Sequence, residues 1–305
     1  VSTTFSLPAL PQQSGAYRWL YADAHAGPYT VVCIFMVGAV FSPRYAAAER
    51  RRASPVEHCA VNCALYREGR RLAWAFTEHA GAVVEGATLR VGASRFAYDR
   101  GGGVRIDVAE RTAPWGRPLR LRLDLEPLAP AAPEVRVDGE QPHCWQARIP
   151  RALAHLHLVD RAEDATGAGY HDTNHGSERL GRALPGWRWT RVHGPDATWV
   201  RYRPATAVPA LELAATCGDT VLRSVEAGAE ALRRSRWALP LPRRLAAGPA
   251  DLPARAVLES SPFYARLEGA EDGVHALGEV ADFRRFHSPL VRWMAHFRLR
   301  VERAA

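Results

Sequence analysis

The stretch RLRLDLEP, residues 120–127, sets Leu121, Leu123 and Leu125 at every second position with arginine, aspartate and glutamate between them. That is a period of two, which puts the leucines on one face of an extended chain and the charges on the other. The same texture runs outward in both directions. AVNCALY (60–66), RLAWAFTE (71–78), ATLRVG (87–92) and GVRIDVAE (103–110) come before it. LAHLHLVD (153–160), WRWTRVHG (187–194), TWVRYRP (198–204) and PALELAAT (209–216) come after. Glycine, proline and asparagine punctuate these pieces every ten or so residues, a spacing that favours an antiparallel sandwich or barrel over alternating strand and helix. Helix signals are confined to short stretches such as YAAAERRR (45–52) and LVRWMAHF (290–297). The expectation is an all-β chain of two domains, residues 1–155 and 156–305, with the seam near 150–165. The proline-rich and acidic segment EPLAPAAPEVRVDGEQP (126–142) reads as a surface loop.

The most apolar run, YTVVCIFMVGAVFSP at 29–43, is shorter than the ~20 residues of a membrane-spanning helix and reads as a long buried strand bent at Gly38. At 305 residues the chain can bury a substantial core in one large domain or two moderate ones. Its formal charge of +8 is carried by arginine alone, there being no lysine, and a basic surface favours acidic partners. The arginines are scattered and no nucleic-acid-binding signature is present, so an anionic membrane is the better partner. Five cysteines without a CxxC pair read as reduced, packed thiols. The opening residues, VSTTFSLPALPQQSGAYRW, lack the pattern of a secretory signal, and a cytoplasmic location is the expectation.

Chemistry concentrates in GYHDTNHG, residues 169–176. On a helix, His171, His175 and Asp172 would suit a divalent metal, with His155, His157 or His193 as a third imidazole. Gly169, Thr173, Asn174 and Gly176 argue against a helix. On a strand, Tyr170, Asp172 and Asn174 share one face instead, and that combination suits a carboxylic acid held for proton transfer. An Asp/Asn turn bonding its own backbone is the plain alternative. In HCW (143–145), His143 and Trp145 would also share a face, while Cys144 points away. No GxSxG elbow supports nucleophilic hydrolysis. The segment FRRFHSPLVRWMAHFRLRVER (283–303) reads either as core aromatics or as a membrane-facing patch of aromatic and arginine side chains.

The chain resembles the carotenoid 1,2-hydratases, the hydroxyneurosporene synthase family, through pieces in order along nearly its whole length. These are YRWLYADA (17–24), YTVVCIFMVGAVFSPRY (29–45), EHCAVNCALY (57–66), RLAWAFTE, HCW, GYHDTNHG, WRWTRVH, SPFYARL (261–267) and FHSPLVRWMAHFRLR (286–300). The resemblance implies two lipocalin-like β domains and addition of water to the terminal double bond of an acyclic carotene such as neurosporene or lycopene, without metal or organic cofactor. It implies Asp172 of a Y-x-D string as the acid, with Tyr170 beside it and the H-x-W pair His143 and Trp145 assisting. Many relatives carry D-H-N where this chain has Asp172, Thr173 and Asn174. A lipid-borne substrate implies peripheral attachment to the inner or intracytoplasmic membrane of a bacterium. Two alternatives share these residues: a related terpenoid cyclase, isomerase or dehydratase, and a carotenoid or lipid carrier that needs no acid.

Overall fold

The computed structural model describes residues 7, 9–48, 51–137, 143–181, 184–206, 208–226 and 228–302. Period-two segments become strands with the alternation intact. In Pro118–Pro127 all four leucines are buried while Arg120, Arg122 and Asp124 lie at the surface or half-buried.

The first sheet takes the strands β1 (Tyr17–Ala26), β2 (Tyr29–Val37), β3 (Cys59–Arg67), β4 (Arg70–His79), β5 (Ala82–Glu85), β6 (Thr88–Val91), β7 (Ser94–Tyr98), β8 (Val104–Arg111) and β9 (Pro118–Pro127). It continues through β10 (Val135–Arg136), β11 (His143–Leu158) and β12 (Glu163–Gly176). The second sheet takes β13 (Gly186–His193), β14 (Ala197–Pro204), β15 (Ala210–Thr216) and β16 (Asp219–Val225). Two small ribbons follow, β17 (Leu232–Arg234) with β18 (Pro240–Pro242) and β19 (Arg244–Ala247) with β20 (Ala250–Pro253). The second sheet is then completed by β21 (Ala256–Ser260), β22 (Tyr264–Glu271) and β23 (Val274–Asp282), and β24 (Arg300–Glu302) returns to the edge of the first beside β4. Pairing is antiparallel except between β24 and β4. Helices are short: α1 (Pro43–Ala48), α2 (Phe283–Phe286) and α3 (Pro289–His296). The chain is thus all-β with few helices, as its alternation requires.

The first sheet curls around its own core, which includes Leu20, Phe35, Phe96, Ile106, Leu123 and Leu156. A second core lies between the two sheets and joins Trp19, Tyr21, Met36, Trp145 and Tyr170 of the first to Trp189, Tyr202 and Leu213 of the second. A third, including Leu245 and Leu267, fills the space under the β19–β20 ribbon. β2 explains the apolar run: from Val31 on, Val31, Cys33, Phe35 and Val37 face the first core and Val32, Ile34 and Met36 the second, so both faces of the strand are buried. The strand ends where Gly38 takes φ +74, in a turn where a Cβ would stand 2.5 Å from the Ala16 carbonyl oxygen.

The seam expected at 155/156 falls inside β11, a strand bonded over most of its length to β12 and β9 of the first sheet. The chain passes from one sheet to the other between Gly176 and Gly186. Strand runs on either side of the expected seam, in β11 and β12 alike. Only the pairing, which closes the first sheet around its core, assigns them.

Candidate active site

GYHDTNHG is strand, in β12, paired with β1 on one side and β11 on the other. Register puts Asn174 beside Trp19, Asp172 beside Tyr21 and Tyr170 beside Asp23, with Trp145 next to Asn174 on the far side. Residues directly opposite share a face, so these side chains converge on the space between the sheets. The Asp172 carboxylate is at their centre. Oδ2 accepts from Trp145 Nε1 at 3.0 Å and from the Tyr170 hydroxyl at 2.9 Å, and Oδ1 accepts from Asn174 Nδ2 at 2.8 Å.

His143 does not touch the aspartate. Its Nε2 lies 3.1 Å from Asn174 Oδ1 and its Nδ1 2.6 Å from the Tyr17 hydroxyl. Because Asn174 spends its amide N–H on Asp172, its oxygen must accept, which assigns the imidazole proton to Nε2 and makes Nδ1 the acceptor of the tyrosine. A chain of donors therefore runs Tyr17, His143, Asn174, Asp172. Burial pushes the His143 pKa down to about 3, so the ring is neutral. Burial acts oppositely on Asp172. It lifts the carboxyl to about 7 against the pull of the Trp145 and Tyr170 donors, and the carboxylates Glu279 and Asp23 add to the rise.

The other face of β12 belongs to the first sheet's core. His171 donates from Nδ1 to the Tyr21 carbonyl (2.7 Å) and so accepts the Tyr98 hydroxyl at Nε2 (2.7 Å), which makes it a satisfied core histidine held neutral by burial. His171 and Asp172 thus point apart and form no common metal set. Among the described residues the groupings with metal-ligand spacing are His25, Glu268 and His275, and Glu134, Cys144 and His175. His155 and His157 sit at the surface on Glu126 and Asp164, and buried His193 bonds Thr198.

Beside the converging side chains lies a cavity of about 460 Å³. Its wall includes Trp19, Tyr21, Trp187, Phe263 and, from α3, Val291 and Met294. Asp172, Trp145, Tyr170 and His143 stand behind that wall, Asp172 next to Tyr21 in register. Trp189 packs on both Tyr21 and Tyr170, with ring centroids 5.4 and 5.5 Å away. The sequence reading did not single out Tyr17 and Tyr21 as site residues. Their signal was the alternation Tyr17, Trp19, Tyr21, Asp23 along one face of β1.

Fold and site define a two-sheet antiparallel β protein with a buried, hydrogen-bonded carboxyl beside an apolar cavity. The same fold occurs in a putative AttH of Nitrosomonas europaea (TM-score 0.62, 14% identity, 91% of this chain and 94% of that one). It also occurs in kievitone hydratase from Nectria haematococca (TM-score 0.53, 11% identity, 92% and 96%). In sequence, the family model described as carotenoid hydratase CrtC matches residues 33–305, and the chain belongs to that family of hydro-lyases. The acyclic carotenoid 1,2-hydratase of Thiocapsa roseopersicina is 33% identical over 301 residues, 93% of this chain and 73% of the relative. That of Cereibacter sphaeroides is 30% identical over 275 residues, 87% and 96%.

Proposed function

We propose that this chain adds water across the terminal carbon–carbon double bond of an acyclic carotene, neurosporene or lycopene, to give a tertiary alcohol, 1-hydroxyneurosporene or rhodopin. The observation that carries the reading is the Asp172 carboxyl. It is buried between the sheets, bonded to three neutral donors, and lifted to about 7, so it still holds a proton near neutrality. Such a group can protonate an unactivated alkene where an ordinary carboxylate cannot.

The Asp172 proton goes to the CH carbon of the double bond, the π pair forms the new C–H bond, and positive charge develops on the dimethyl carbon. Water then adds there and gives up a proton. Trp145, Tyr170 and Asn174 hold the departing carboxylate by its two oxygens, while neutral His143 fixes Asn174. Trp19, Tyr21 and Trp187 on the cavity wall supply π faces, worth about 2 kcal/mol each to a desolvated cation. Tyr21, the register partner of Asp172, stands on the cavity wall, so the substrate's end would reach the acid by displacing that ring.

A carotene arrives from lipid, and α3 forms part of the cavity wall. Val291, Met294 and Ala295 of that helix line the cavity, while Leu290, Trp293 and Phe297 next to them are 62%, 60% and 66% exposed. Exposed Arg236 and Arg298 are also on the wall. This combination suits peripheral docking on an anionic membrane, apolar groups in the acyl boundary and guanidinium groups at the phosphates. Among the described residues no helix is long and apolar enough to cross a membrane.

The test is to incubate the protein with carotene-loaded anionic vesicles in oxygen-18 water and weigh the extracted pigments. A product heavier by one labelled water is expected, and Asp172→Asn should bind pigment yet lose turnover by about 10²- to 10⁴-fold. Pigment bound by both proteins and changed by neither would point to a carrier, and a rearranged product of unchanged mass to an isomerase or cyclase.

A further inference from the structure

The cavity wall carries a second acidic cluster, apart from Asp172 and its donors. Glu259, Arg266 and Glu279 all line it, and Arg266 is 1% exposed. Glu259 is fully engaged: Oε1 takes the Tyr66 hydroxyl and Arg266, and Oε2 takes Trp74 Nε1 at 3.1 Å. Glu279 is not. Arg266 Nε and NH2 both reach the same oxygen, Oε1, at 3.0 Å each, which leaves Oε2 for another partner. Burying two carboxylates and one guanidinium against an apolar cavity is poor economy for stability, since the desolvation cost of such groups rivals their attraction. A chemical use explains the arrangement better.

Three hydroxyls on this wall, those of Tyr21, Ser260 and Tyr264, are buried without a close hydrogen bond, Tyr21 lying toward the Asp23 carboxyl and Tyr264 toward that of Glu279. Tyr264 is close enough to Glu279 for each to act on the other's ionisation, and Glu279 in turn bears on Tyr21 and on Asp172. Register explains the proximity, because Glu279 is paired with Trp189, which packs on Tyr21 and Tyr170. A buried water needs two to four polar partners, and the Glu279 carboxyl with the Tyr264 hydroxyl supplies two of them on this wall.

We propose that Glu279 is the general base of the hydration, holding the attacking water with the Tyr264 hydroxyl and taking its proton as the carbon–oxygen bond forms. The inference rests on the hydratase reading and divides its two proton transfers between two carboxyls. Asp172 gives its proton to the CH carbon, the water oxygen donates a lone pair to the tertiary cation, and the O–H pair left behind returns to oxygen as the proton passes to Glu279 Oε2. Glu279 then carries one proton and Asp172 has lost one, and exchange through water entering with the next substrate restores both. Arg266 bonds Glu279 and opposes the burial that raises its pKa, whereas Asp172 has only neutral donors around it, so the carboxyl paired with a guanidinium is the better base and Asp172 the better acid.

Deuterium oxide separates the two steps. With Asp172 intact and the base removed, the cation can only collapse by losing a proton, so Glu279→Gln should form at least a hundredfold less alcohol while the recovered carotene gains deuterium. Asp172→Asn should show neither alcohol nor deuterium. Hydration by Glu279→Gln within tenfold of the parent overturns the proposal, and so does loss of both hydration and exchange in a variant that still binds pigment. Should Glu279→Gln fail to bind pigment, Glu279→Asp keeps the charge on Arg266 and must show the same split, less alcohol with deuterium gained. A parent protein that makes no alcohol at all would instead defeat the hydratase reading.

Discussion

Asp172 is held between opposing influences of known sign. Removing water from around a carboxyl favours its neutral form, and hydrogen bonds to the carboxylate favour the charged one. Here burial wins and the carboxyl rests at about 7. An acid that must be protonated to act loses activity as pH rises through its pKa, so kcat/KM should fall above about pH 7. His143, near 3, contributes no titration in that range. The donors make the argument testable. Trp145→Phe deletes the N–H that lowers the Asp172 pKa and keeps an aromatic ring in place. Hydrogen bonds to charged groups are worth about 1.5–3 kcal/mol, so the alkaline limb should move up by roughly one to two pH units. A limb that stays put or moves down in the pH profile of this variant would show that Asp172 is not the titrating acid.

α3 is a short helix with an apolar residue on almost every side, which ordinarily means full burial. Its inner side is spent on the cavity, and among the described residues nothing buries Leu290, Trp293 or Phe297. Replacing these three by serine leaves core contacts alone and should cost little stability. Each is worth about 1.5–3 kcal/mol when fully removed from water, so vesicle binding should fall more than tenfold in a co-sedimentation assay. Hydration of pigment in vesicles should fall with it and hydration in detergent should not; a variant that sediments like the parent would sink the docking surface. The sequence presents this helix as LVRWMAHF without showing which side would be covered, and the structure splits the C-terminal aromatics, with Phe283 and Phe286 in the core and Trp293 and Phe297 outside. Strands were far more legible. RLRLDLEP carries its faces in its alternation, and Tyr170, Asp172 and Asn174 converge because they are two apart on such a strand. Arg266 and Glu279 were hidden for the same reason: a charge at every second position of a strand normally faces water, and only the second sheet lying across the first turns these inward. The sheet boundary was hidden too, since β11 and β12 differ from their neighbours in partners and not in pattern.

Taken whole, the molecule is two sheets closed over a shared core, and the polar groups buried along that join set how it responds to acid. His25 stacks on His275 where the sheets meet, with ring centroids 3.8 Å apart, beside the fully buried Asp23–Arg191 ion pair that links β1 to β13. His143 lies in the same join and His171 in the first core. Burial holds His25, His143 and His171 at about 3, and also lowers His193 and His275. An unfolded chain takes up these protons near pH 6.5, so the folded state binds fewer and loses stability as pH falls from 6.5 toward 3. Each group contributes up to about 1.4 kcal/mol per pH unit in that window. Asp172 has the opposite sign: raised from 3.8 to about 7, it favours the folded state on acidification, and its contribution is lost as pH rises through 7. Burial raises the carboxyls of Asp23 and Glu279 in the same sense, and the five lowered histidines outnumber these three. Urea midpoints should therefore drop steadily between pH 6.5 and 5, well above the range where surface carboxylates titrate, and His171→Asn should flatten the slope by about one proton. A midpoint that is level or rises over that interval would mean that these imidazoles are already charged in the folded protein. In that case neither the neutral His143 nor the donor chain running through it to Asp172 could stand.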